Sequence, residues 1–339
     1  MSVAPIGVGL LGLGTVGAAV ARAIAEQEQH VMHRLGRAVR VAAIFERGPE
    51  RAARADLSPD LIQTDSAMVI DDPAVQIVVE VLGGEEPAHT LIARALRAGK
   101  PVVTANKETL AKHGGALFPL AAARRVPLLC EASVGGGIPL FAALRQVQAA
   151  NTITAFRGIV NGTTNFILSA MAEQGTRYTD ALAEAQRLGY AEPDPTADVE
   201  GFDATYKACV LAQACFGLAV SPDSVARTGI TGVSAEQIAE ARGSGKVIKL
   251  LAQGSYTDGK ASLSVAPARV AAGSPLGSTS ANYNAIELTG DRVGPVLLVG
   301  QGAGPRPTAS AILSDIVDAA RVILGAPPEP YFVRLGGSR

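Results

Sequence analysis

The sequence has no tryptophan, and aromatic residues make up only 4% of its 339 residues. Proteins that bind single-stranded nucleic acid stack the bases on aromatic side chains, so a site of that kind, or a carbohydrate site of stacked rings, is not expected. There is also no excess of either charge, since 30 Lys and Arg face 31 Asp and Glu. A basic excess or stripe is typical of proteins that bind nucleic acid or anionic membranes, and we expect neither partner.

Cysteine is scarce as well, and long hydrophobic runs are missing. The three cysteines, Cys130, Cys209 and Cys215, have apolar neighbours and no CxxC spacing, which is typical of buried thiols in a reducing compartment. No apolar run reaches the ~18 residues that a membrane span needs. The apolar start of the chain lacks the positive region of a signal peptide. We therefore expect a cytoplasmic protein.

Short apolar segments alternate with helical patterns in the first part of the chain. The segments 6–11, 39–45 and 77–82 have the composition of buried strands, with helical stretches between them. This alternation predicts βαβ units on a parallel sheet. After about Pro139 the pattern changes, and residues 246–299 contain several short β-like runs separated by Gly, Ser and Pro. The fold class is therefore predicted as α/β, with a second α+β domain at 139–299.

A GxGxxG motif, formed by Gly12, Gly14 and Gly17, joins the first predicted strand to a helix. Gly12 permits the tight turn, Gly14 lets a pyrophosphate approach the backbone, and Gly17 lets the helix pack closely on the strand. The helix N-terminus then faces the anion. In this context the motif predicts a Rossmann-type nucleotide-binding domain at 1–138; the alternative is a glycine-rich turn that binds no nucleotide.

The end of the second strand bears on the choice between NAD(H) and NADP(H). An acid at this place favours a free ribose 2′-hydroxyl, and a basic residue favours a 2′-phosphate. Glu46 and Arg47 are adjacent there, and Arg51 and Arg54 follow. We expect Arg47 to favour NADP(H), with NAD(H) still possible. For Arg51 and Arg54, a solvated helix face is an equally good interpretation.

The acid-rich segment 189–207 is the most informative part of the sequence. Asp198 is predicted as the N-cap of a long helix. Asp203 and Lys207 are four residues apart and can pair on one helix face, although such a pair is often only a surface ion pair. The sequence after Lys207 is apolar almost all round, which places this lysine near an interior. A partly buried lysine beside carboxylates can donate a proton.

Three further residues lie at places where ligands bind. Glu192, in the proline-containing loop, could take a substrate ammonium group. Lys107 follows a strand end, where parallel sheets bind ligands, but a loop lysine is more often simply solvated. Glu131 precedes three consecutive glycines, and one acid with several backbone carbonyls could hold Na⁺ or K⁺. A flexible connection or an anion-binding loop is the alternative there.

Six segments occur in a characteristic order: GLGTVG, VVTANK, EASVGGGIP, GIVNGTTNFIL, LGYAEPDPTADVEGFDATYK and GQGAGPRPTASAILSDIVDA. Together they closely resemble the homoserine dehydrogenase family over nearly the whole chain. The resemblance implies NAD(P)-dependent interconversion of L-homoserine and L-aspartate 4-semialdehyde, in the biosynthesis of threonine, methionine and isoleucine. It also implies a homodimer formed through the second domain. The chain resembles the short form that lacks an ACT domain, so threonine control through such a domain is not expected.

The resemblance also implies roles for individual residues. Lys207 would donate a proton to the carbonyl oxygen as hydride arrives, with Lys107 at the junction of nicotinamide and substrate and Asp203 as the third catalytic residue. The implied substrate-binding residues are Glu192, Asp198, Tyr190, Gly162 and Thr163. The implied nucleotide-binding residues are Gly12, Leu13, Gly14, Thr15, Val16, Arg47, Thr104, Lys107 and Gly304. A sodium or potassium ion would be held by Glu131 and the backbone carbonyls of Val134, Gly136 and Ile138.

Gly304 would bring the chain back to the nucleotide, so residues 300–330 are expected to rejoin the first domain, followed by a tail at 331–339. The sequence departs from many relatives at Gly48, where they have an acid.

Two other functions compete with homoserine dehydrogenase activity. An acylating aldehyde dehydrogenase would need an activated nucleophile such as Cys130, and an NAD(P)-sensing regulator would not need both lysines and the acidic loop.

Overall fold

The computed structural model describes residues 4–48, 51 and 57–327. They form two compact units, one up to Gly137 and again from Gly304 onward, the other spanning Ile138–Ala303. In the described ranges, no helix combines the length and apolarity needed to cross a membrane. Arg54 and the predicted tail at 331–339 lie outside the described residues.

The strands of the described chain are named in sequence order. They are β1 (Ile6–Leu11), β2 (Val39–Phe45), β3 (Ile62–Gln63), β4 (Ile77–Glu80), β5 (Val102–Thr104), β6 (Leu128–Leu129), β7 (Ile153–Ile159), β8 (Ala226–Arg227), β9 (Lys246–Thr257), β10 (Lys260–Ala271), β11 (Tyr283–Gly290) and β12 (Gly294–Gln301).

The α-helices are named in the same way. They are α1 (Thr15–Glu26), α2 (Glu28–Leu35), α3 (Ser66–Ile70), α4 (Ala88–Arg97), α5 (Lys107–Arg124), α6 (Leu140–Gln148), α7 (Gly162–Gln174), α8 (Tyr178–Arg187), α9 (Thr196–Val199), α10 (Phe202–Phe216), α11 (Ala235–Gly243), α12 (Pro275–Ser278) and α13 (Pro305–Ile323). Single 3₁₀ turns occur at Pro59–Leu61, Glu131–Ser133 and Pro222–Ser224.

The first unit contains a parallel six-stranded sheet in the order β3-β2-β1-β4-β5-β6. Every residue of β1 and β4 is buried, as expected of parallel strands that are covered on both faces. The strand order reverses between β1 and β4. Sheets of this kind bind ligands beyond the carboxyl ends of the strands at such a switch point. The predicted Rossmann-type sheet is confirmed.

The second unit has its own six-stranded sheet in the order β12-β11-β7-β9-β10-β8. All pairs are antiparallel except β8 with β10. The prediction of several short runs at 246–299 was wrong, because β9 and β10 pair over twelve residues each. Asp258 and Gly259 connect them with positive φ angles of 51° and 80°, the two-residue turn that fits a twisted hairpin. A mixed α+β second domain is confirmed.

The acidic segment also folds differently from the prediction. Instead of one long helix with Asp198 as its N-cap, the chain forms the short helix α9 and then α10. Gly201 separates them with a φ of 81° and is the N-cap of α10. Because glycine adopts this left-handed conformation without steric cost, the chain turns there. Asp198 lies inside α9 and makes a different contact, described below.

Candidate active site

The turn between β1 and α1 leaves room for an anion. Gly12 has a φ of 109°, and a Cβ on Gly17 would lie 2.1 Å from the Gly12 carbonyl oxygen. A Cβ on Gly14 would meet nothing within 4 Å. Gly14 is the N-cap of α1, with no capping side chain and no acid in the first turn. The first N–H groups of α1 and its positive dipole end therefore suit a phosphate.

Glu46, at the end of β2, contacts this turn directly. Its buried carboxylate accepts hydrogen bonds from the N–H groups of Leu13 (3.1 Å) and Gly48 (3.0 Å), and Arg51 lies 3.3 Å away. Burial opposes ionisation, but these hydrogen bonds and the charge of Arg51 hold the pKa of Glu46 below its ordinary value. The exposed Arg47 guanidinium lies 5.9 Å from the centre of the Phe45 ring. An ionised carboxylate, that of Glu46, and the guanidinium groups of Arg47 and Arg51 therefore both lie at the end of β2.

A second polar group lies at the carboxyl ends of β4 and β5. Glu80 is fully buried and accepts hydrogen bonds from the Thr104 hydroxyl (2.6 Å) and the Leu82 N–H (2.8 Å). Burial raises its pKa. Asn106 caps α5 through a 3.0 Å bond from the Thr109 N–H, and α5 begins at the half-buried Lys107. Glu80 was not among the residues predicted from the sequence, although a single acid at the end of an apolar strand was a visible signal.

The triple-glycine loop follows β6. Glu131 is buried, and its N–H donates to a carboxylate oxygen of Asp315 on α13 over 2.8 Å. Gly135 and Gly136 have φ angles of 79° and 57°. Among the described residues, no three or more His, Cys, Asp or Glu side chains are grouped to hold a metal ion. Ile138, the last residue predicted for the cation site, begins the second unit.

Cys130 is fully buried, and burial together with the nearby Asp315 charge raises its thiol pKa well above the ordinary value. A thiol of this kind is not an activated nucleophile. Cys209 and Cys215 are also buried and unpaired, and burial raises the pKa of Cys209 to about 12. All three cysteines are therefore buried thiols, as the sequence indicated.

Lys207 and Asp203 form the centre of a polar cluster in the second unit. The Lys207 ammonium donates to a carboxylate oxygen of Asp203 and to the Val160 carbonyl oxygen, each over 2.7 Å. The side chains of Lys207 and Asp203 are only 12% and 9% exposed, because α10 buries most of its surface. The predicted pairing is present, and it lies in the interior and not on a solvated face.

Asn161 connects this pair to Asp198. Its side-chain nitrogen donates to Asp198 over 2.7 Å and to Asp203 over 2.8 Å. Its side-chain oxygen accepts the Thr164 N–H over 2.9 Å and so caps α7. Burial and the Asp203 charge raise the pKa of Asp198. Asn161 was not among the residues predicted from the sequence, although an asparagine between a strand and a helix is a recognised N-cap signal.

The remaining predicted substrate residues are only partly brought together. The Thr163 hydroxyl donates to the Tyr190 carbonyl oxygen over 2.6 Å. A Cβ on Gly162 would lie 2.8 Å from the Asn282 carbonyl oxygen, so the backbones approach closely there. Within the described ranges, no hydrogen bond joins the exposed Glu192 carboxylate to this cluster; only its backbone oxygen accepts one, from Gln186.

Comparison with known proteins decides which family has this combination of features. The homoserine dehydrogenase family matches residues 139–317, and the homoserine dehydrogenase NAD-binding domain matches residues 12–131. The chain belongs to the homoserine dehydrogenase family. The family resemblance predicted from the sequence motifs is confirmed, and the chain is an oxidoreductase with a nucleotide-binding domain.

Individual homoserine dehydrogenases match over most of their length. The enzyme of Synechocystis sp. is 42% identical over 95% of this chain and 75% of its own. That of Corynebacterium glutamicum is 44% identical, over 93% and 72%. A crystal structure of the Thiobacillus denitrificans homoserine dehydrogenase, 41% identical, superposes with a TM-score of 0.92 over 96% of this chain and 75% of that one. A hyperthermophilic archaeal homoserine dehydrogenase in complex with NADPH, 28% identical, superposes with a TM-score of 0.81 over 94% of this chain and 98% of that one.

Proposed function

We propose that this chain catalyses the NAD(P)-dependent interconversion of L-homoserine and L-aspartate 4-semialdehyde, on the biosynthetic route to threonine, methionine and isoleucine. The observation that carries the proposal is the buried ion pair of Lys207 and Asp203, tied by Asn161 to Asp198. In the homoserine dehydrogenase family, this is the segment in which the sequence motifs put the catalytic lysine.

Lys207 is the proton donor in this proposal. Reduction of an aldehyde adds a hydride to carbon and a proton to oxygen, and the reverse reaction removes both. The nicotinamide nucleotide, when bound, supplies or accepts the hydride. Lys207 holds the proton on Nζ, transfers it to the carbonyl oxygen, and recovers a proton from the hydroxyl in the oxidative direction. Asp203 and the Val160 carbonyl oxygen orient the ammonium group, each over 2.7 Å.

The amino-acid end of the substrate is assigned to the second unit as well. Glu192 and Asp198 offer carboxylates for the ammonium group, while Gly162, Thr163 and Tyr190 lie at the start of α7 and beside it. The exposed Glu192 carboxylate supports this role because it is accessible to a charged ligand. Glu192 lies in the loop that follows Tyr190. The Thr163–Tyr190 hydrogen bond attaches this loop to α7.

NADP(H) is assigned as the favoured nucleotide, with NAD(H) as the alternative. The uncapped N-terminus of α1 and the open space beside Gly14 suit the pyrophosphate. The exposed Arg47 supports recognition of a 2′-phosphate, whereas the Glu46 carboxylate against the turn supports NAD(H). The remaining nucleotide contacts are assigned to Leu13, Thr15, Val16, Thr104, Lys107 and Gly304.

A monovalent cation and a homodimer complete the proposal. Glu131 and the carbonyls of Val134, Gly136 and Ile138 would hold Na⁺ or K⁺; the buried Glu131 carboxylate and the left-handed glycines between Val134 and Ile138 support this. The protein is assigned to the cytoplasm. The dimer interface is assigned to the second unit. Exposed apolar side chains in and beside β11 and β12 support this assignment, namely Tyr283, Val293 and Val299.

The activity is tested with the purified chain, L-homoserine, and NADP⁺ or NAD⁺ in separate reactions, with and without added K⁺ or Na⁺. The absorbance of the reduced nucleotide should rise when homoserine is added, and it should rise faster with NADP⁺ than with NAD⁺. No reduction of either nucleotide in the presence of both cations would contradict the proposed function. Oxidation of aspartate semialdehyde that is lost in Cys130→Ala would favour the acylating aldehyde dehydrogenase instead.

A further inference from the structure

Lys249, on β9, is a buried charged residue that the proposed mechanism does not use. It is 3% exposed, and its ammonium donates to the Thr279 carbonyl oxygen (2.7 Å), the Asn165 side-chain oxygen (2.9 Å) and the Ser169 hydroxyl (3.2 Å). Three acceptors match the three N–H bonds of an ammonium group. Burying such a group is costly unless it is fully hydrogen-bonded, so a lysine at this position needs a reason.

The three bonds join two parts of the second unit. Asn165 and Ser169 lie on α7, one turn apart, and Thr279 begins the segment 279–283. The Asn165 side-chain nitrogen reinforces the connection, since it donates to the carbonyl oxygens of Thr279 (3.3 Å) and Tyr283 (3.1 Å). Lys249 and Asn165 therefore hold the segment 279–283 at both of its ends.

The segment 279–283 is held in a conformation that it would not adopt freely. Ala281 has a φ of 55°, in the left-handed region that non-glycine residues rarely occupy. Such strain persists only where surrounding contacts hold the backbone in place. The carbonyl bonds from Lys249 and Asn165 on either side of Ala281 provide those contacts.

This segment lies against the start of α7, where the amino-acid substrate is assigned. The Asn282 carbonyl oxygen is so close to Gly162 that a Cβ there would approach it to 2.8 Å. The Asn165 N–H also donates to the Asn161 carbonyl oxygen over 3.2 Å, and Asn161 in turn contacts Asp198 and Asp203. A shift of the segment or of Asn165 would therefore change the backbone beside Gly162 and the position of Asn161.

We propose that Lys249 is a positioning residue for the amino-acid substrate, and that it acts by clamping the segment 279–283 against the first turn of α7. It touches no reacting atom; it acts through Asn165 and the Thr279 carbonyl. The inference rests on the proposed function, because it assigns the substrate to this end of α7. Burial also lowers the Lys249 pKa to about 8, opposed by the charge of Glu173 on α7, which is consistent with a desolvated ammonium without a contacting carboxylate.

The test is a steady-state comparison of Lys249→Met with the wild type at saturating nucleotide. Methionine keeps most of the length of the unbranched side chain and removes the three donors. The KM for L-homoserine should rise about tenfold with a much smaller change in kcat, because the clamp supports ground-state and transition-state binding alike. The Kd for the nucleotide alone, which binds to the first unit, should stay the same.

Two further variants separate positioning from simple loss of stability. Asn165→Ala, which removes the bonds to Thr279 and Tyr283 while leaving the lysine, should raise the same KM even if Lys249→Met does not fold. Leu263→Ala, a buried β10 side chain outside these contacts, should lower the Tm without changing the KM.

An active wild type whose KM is unchanged in both Lys249→Met and Asn165→Ala would overturn the inference. An equal rise in KM in Leu263→Ala would also overturn it, because the effect would then follow stability alone. A wild type that does not oxidise homoserine would contradict the proposed function, and this inference with it. The two failures are therefore distinguished by the wild-type rate.

Discussion

Lys207 and Asp203 are joined over 2.7 Å, with side chains only 12% and 9% exposed. The pair Lys112 and Glu108 on α5 has the same i, i+4 spacing and the same 2.7 Å distance, but its side chains are 30% and 26% exposed. Charges interact more strongly where water is excluded. Burial, and not spacing or distance, therefore distinguishes the candidate catalytic pair from an ordinary helix ion pair.

Removal of the Asp203 charge should destabilise the protein and slow turnover. Asp203→Asn removes the carboxylate that contacts the buried Lys207 ammonium, and loss of one partner of a buried pair costs about 3–5 kcal/mol. Denaturant unfolding and kcat measure the two effects. Glu108→Gln is the control at the exposed pair. Lys112 keeps its ion pair with Glu85 (2.8 Å), so the expected loss is below about 1 kcal/mol, with kcat retained. Similar effects in the two variants would show that burial of the Lys207 pair has no special consequence.

Asn161→Ala should reduce kcat/KM for homoserine as well as stability. The variant loses the cap of α7, worth about 1 kcal/mol, and the two hydrogen bonds that hold Asp198 and Asp203. Ser234→Ala supplies a control, because it removes the capping box of α11 with a similar cost of about 1 kcal/mol. Equal kcat/KM values in these two variants would argue against a role for Asn161 beyond the helix cap.

Arg47→Ala should weaken NADP⁺ binding and leave NAD⁺ binding unchanged. Loss of a hydrogen-bonded charge on a phosphate costs about 1.5–3 kcal/mol, so the Kd for NADP⁺ should rise by about tenfold or more. Isothermal titration with each nucleotide measures this. Arg40→Ala, which removes an exposed arginine paired with Glu28, should change neither Kd. An unchanged Kd for NADP⁺ in Arg47→Ala would mean that Arg47 does not recognise the 2′-phosphate.

Because Lys249 is buried, the free energy of unfolding should rise as the pH is raised above about 8. Burial lowers its pKa in the folded protein from 10.5 to about 8. Between these two values the unfolded chain holds a proton that the folded chain has released, so the free energy of unfolding rises with pH over this window. The rise due to this group is at most about 3 kcal/mol. Below pH ~8 both states are protonated, and the cost of burying the charge remains.

The contribution of Lys249 is isolated by comparison with Lys249→Met. The difference in unfolding free energy between wild type and variant should shift in favour of the wild type as pH is raised from about 8 to about 10. All other titratable groups are the same in both proteins, so their effects cancel. A difference that stays constant with pH would mean that the folded Lys249 titrates like an exposed lysine.

Sequence patterns predicted most of the first unit but not the internal contacts of the site. The strands β1 and β4 carry no polar side chain except Glu80 at the end of β4, and such runs between helical patterns identify a parallel sheet directly. The break between α9 and α10 was missed because the acid-rich pattern continues through Gly201, whose left-handed conformation appears only in three dimensions. The roles of Asn161 and Glu80 depend on partners 24 to 42 residues away. Lys249 was missed for the same reason, since its acceptors lie 30 to 84 residues away.

The central claim is that Lys207 delivers the proton while the rest of the site binds the ligands. Single-turnover oxidation of NADPH by L-aspartate 4-semialdehyde tests it most directly, with wild type, Lys207→Met and the exposed control Lys260→Ala. Lys207→Met should bind NADPH with wild-type affinity but turn over ~10²–10⁴-fold more slowly, and Lys260→Ala should match the wild type. A wild-type rate of NADPH oxidation in Lys207→Met would contradict the account.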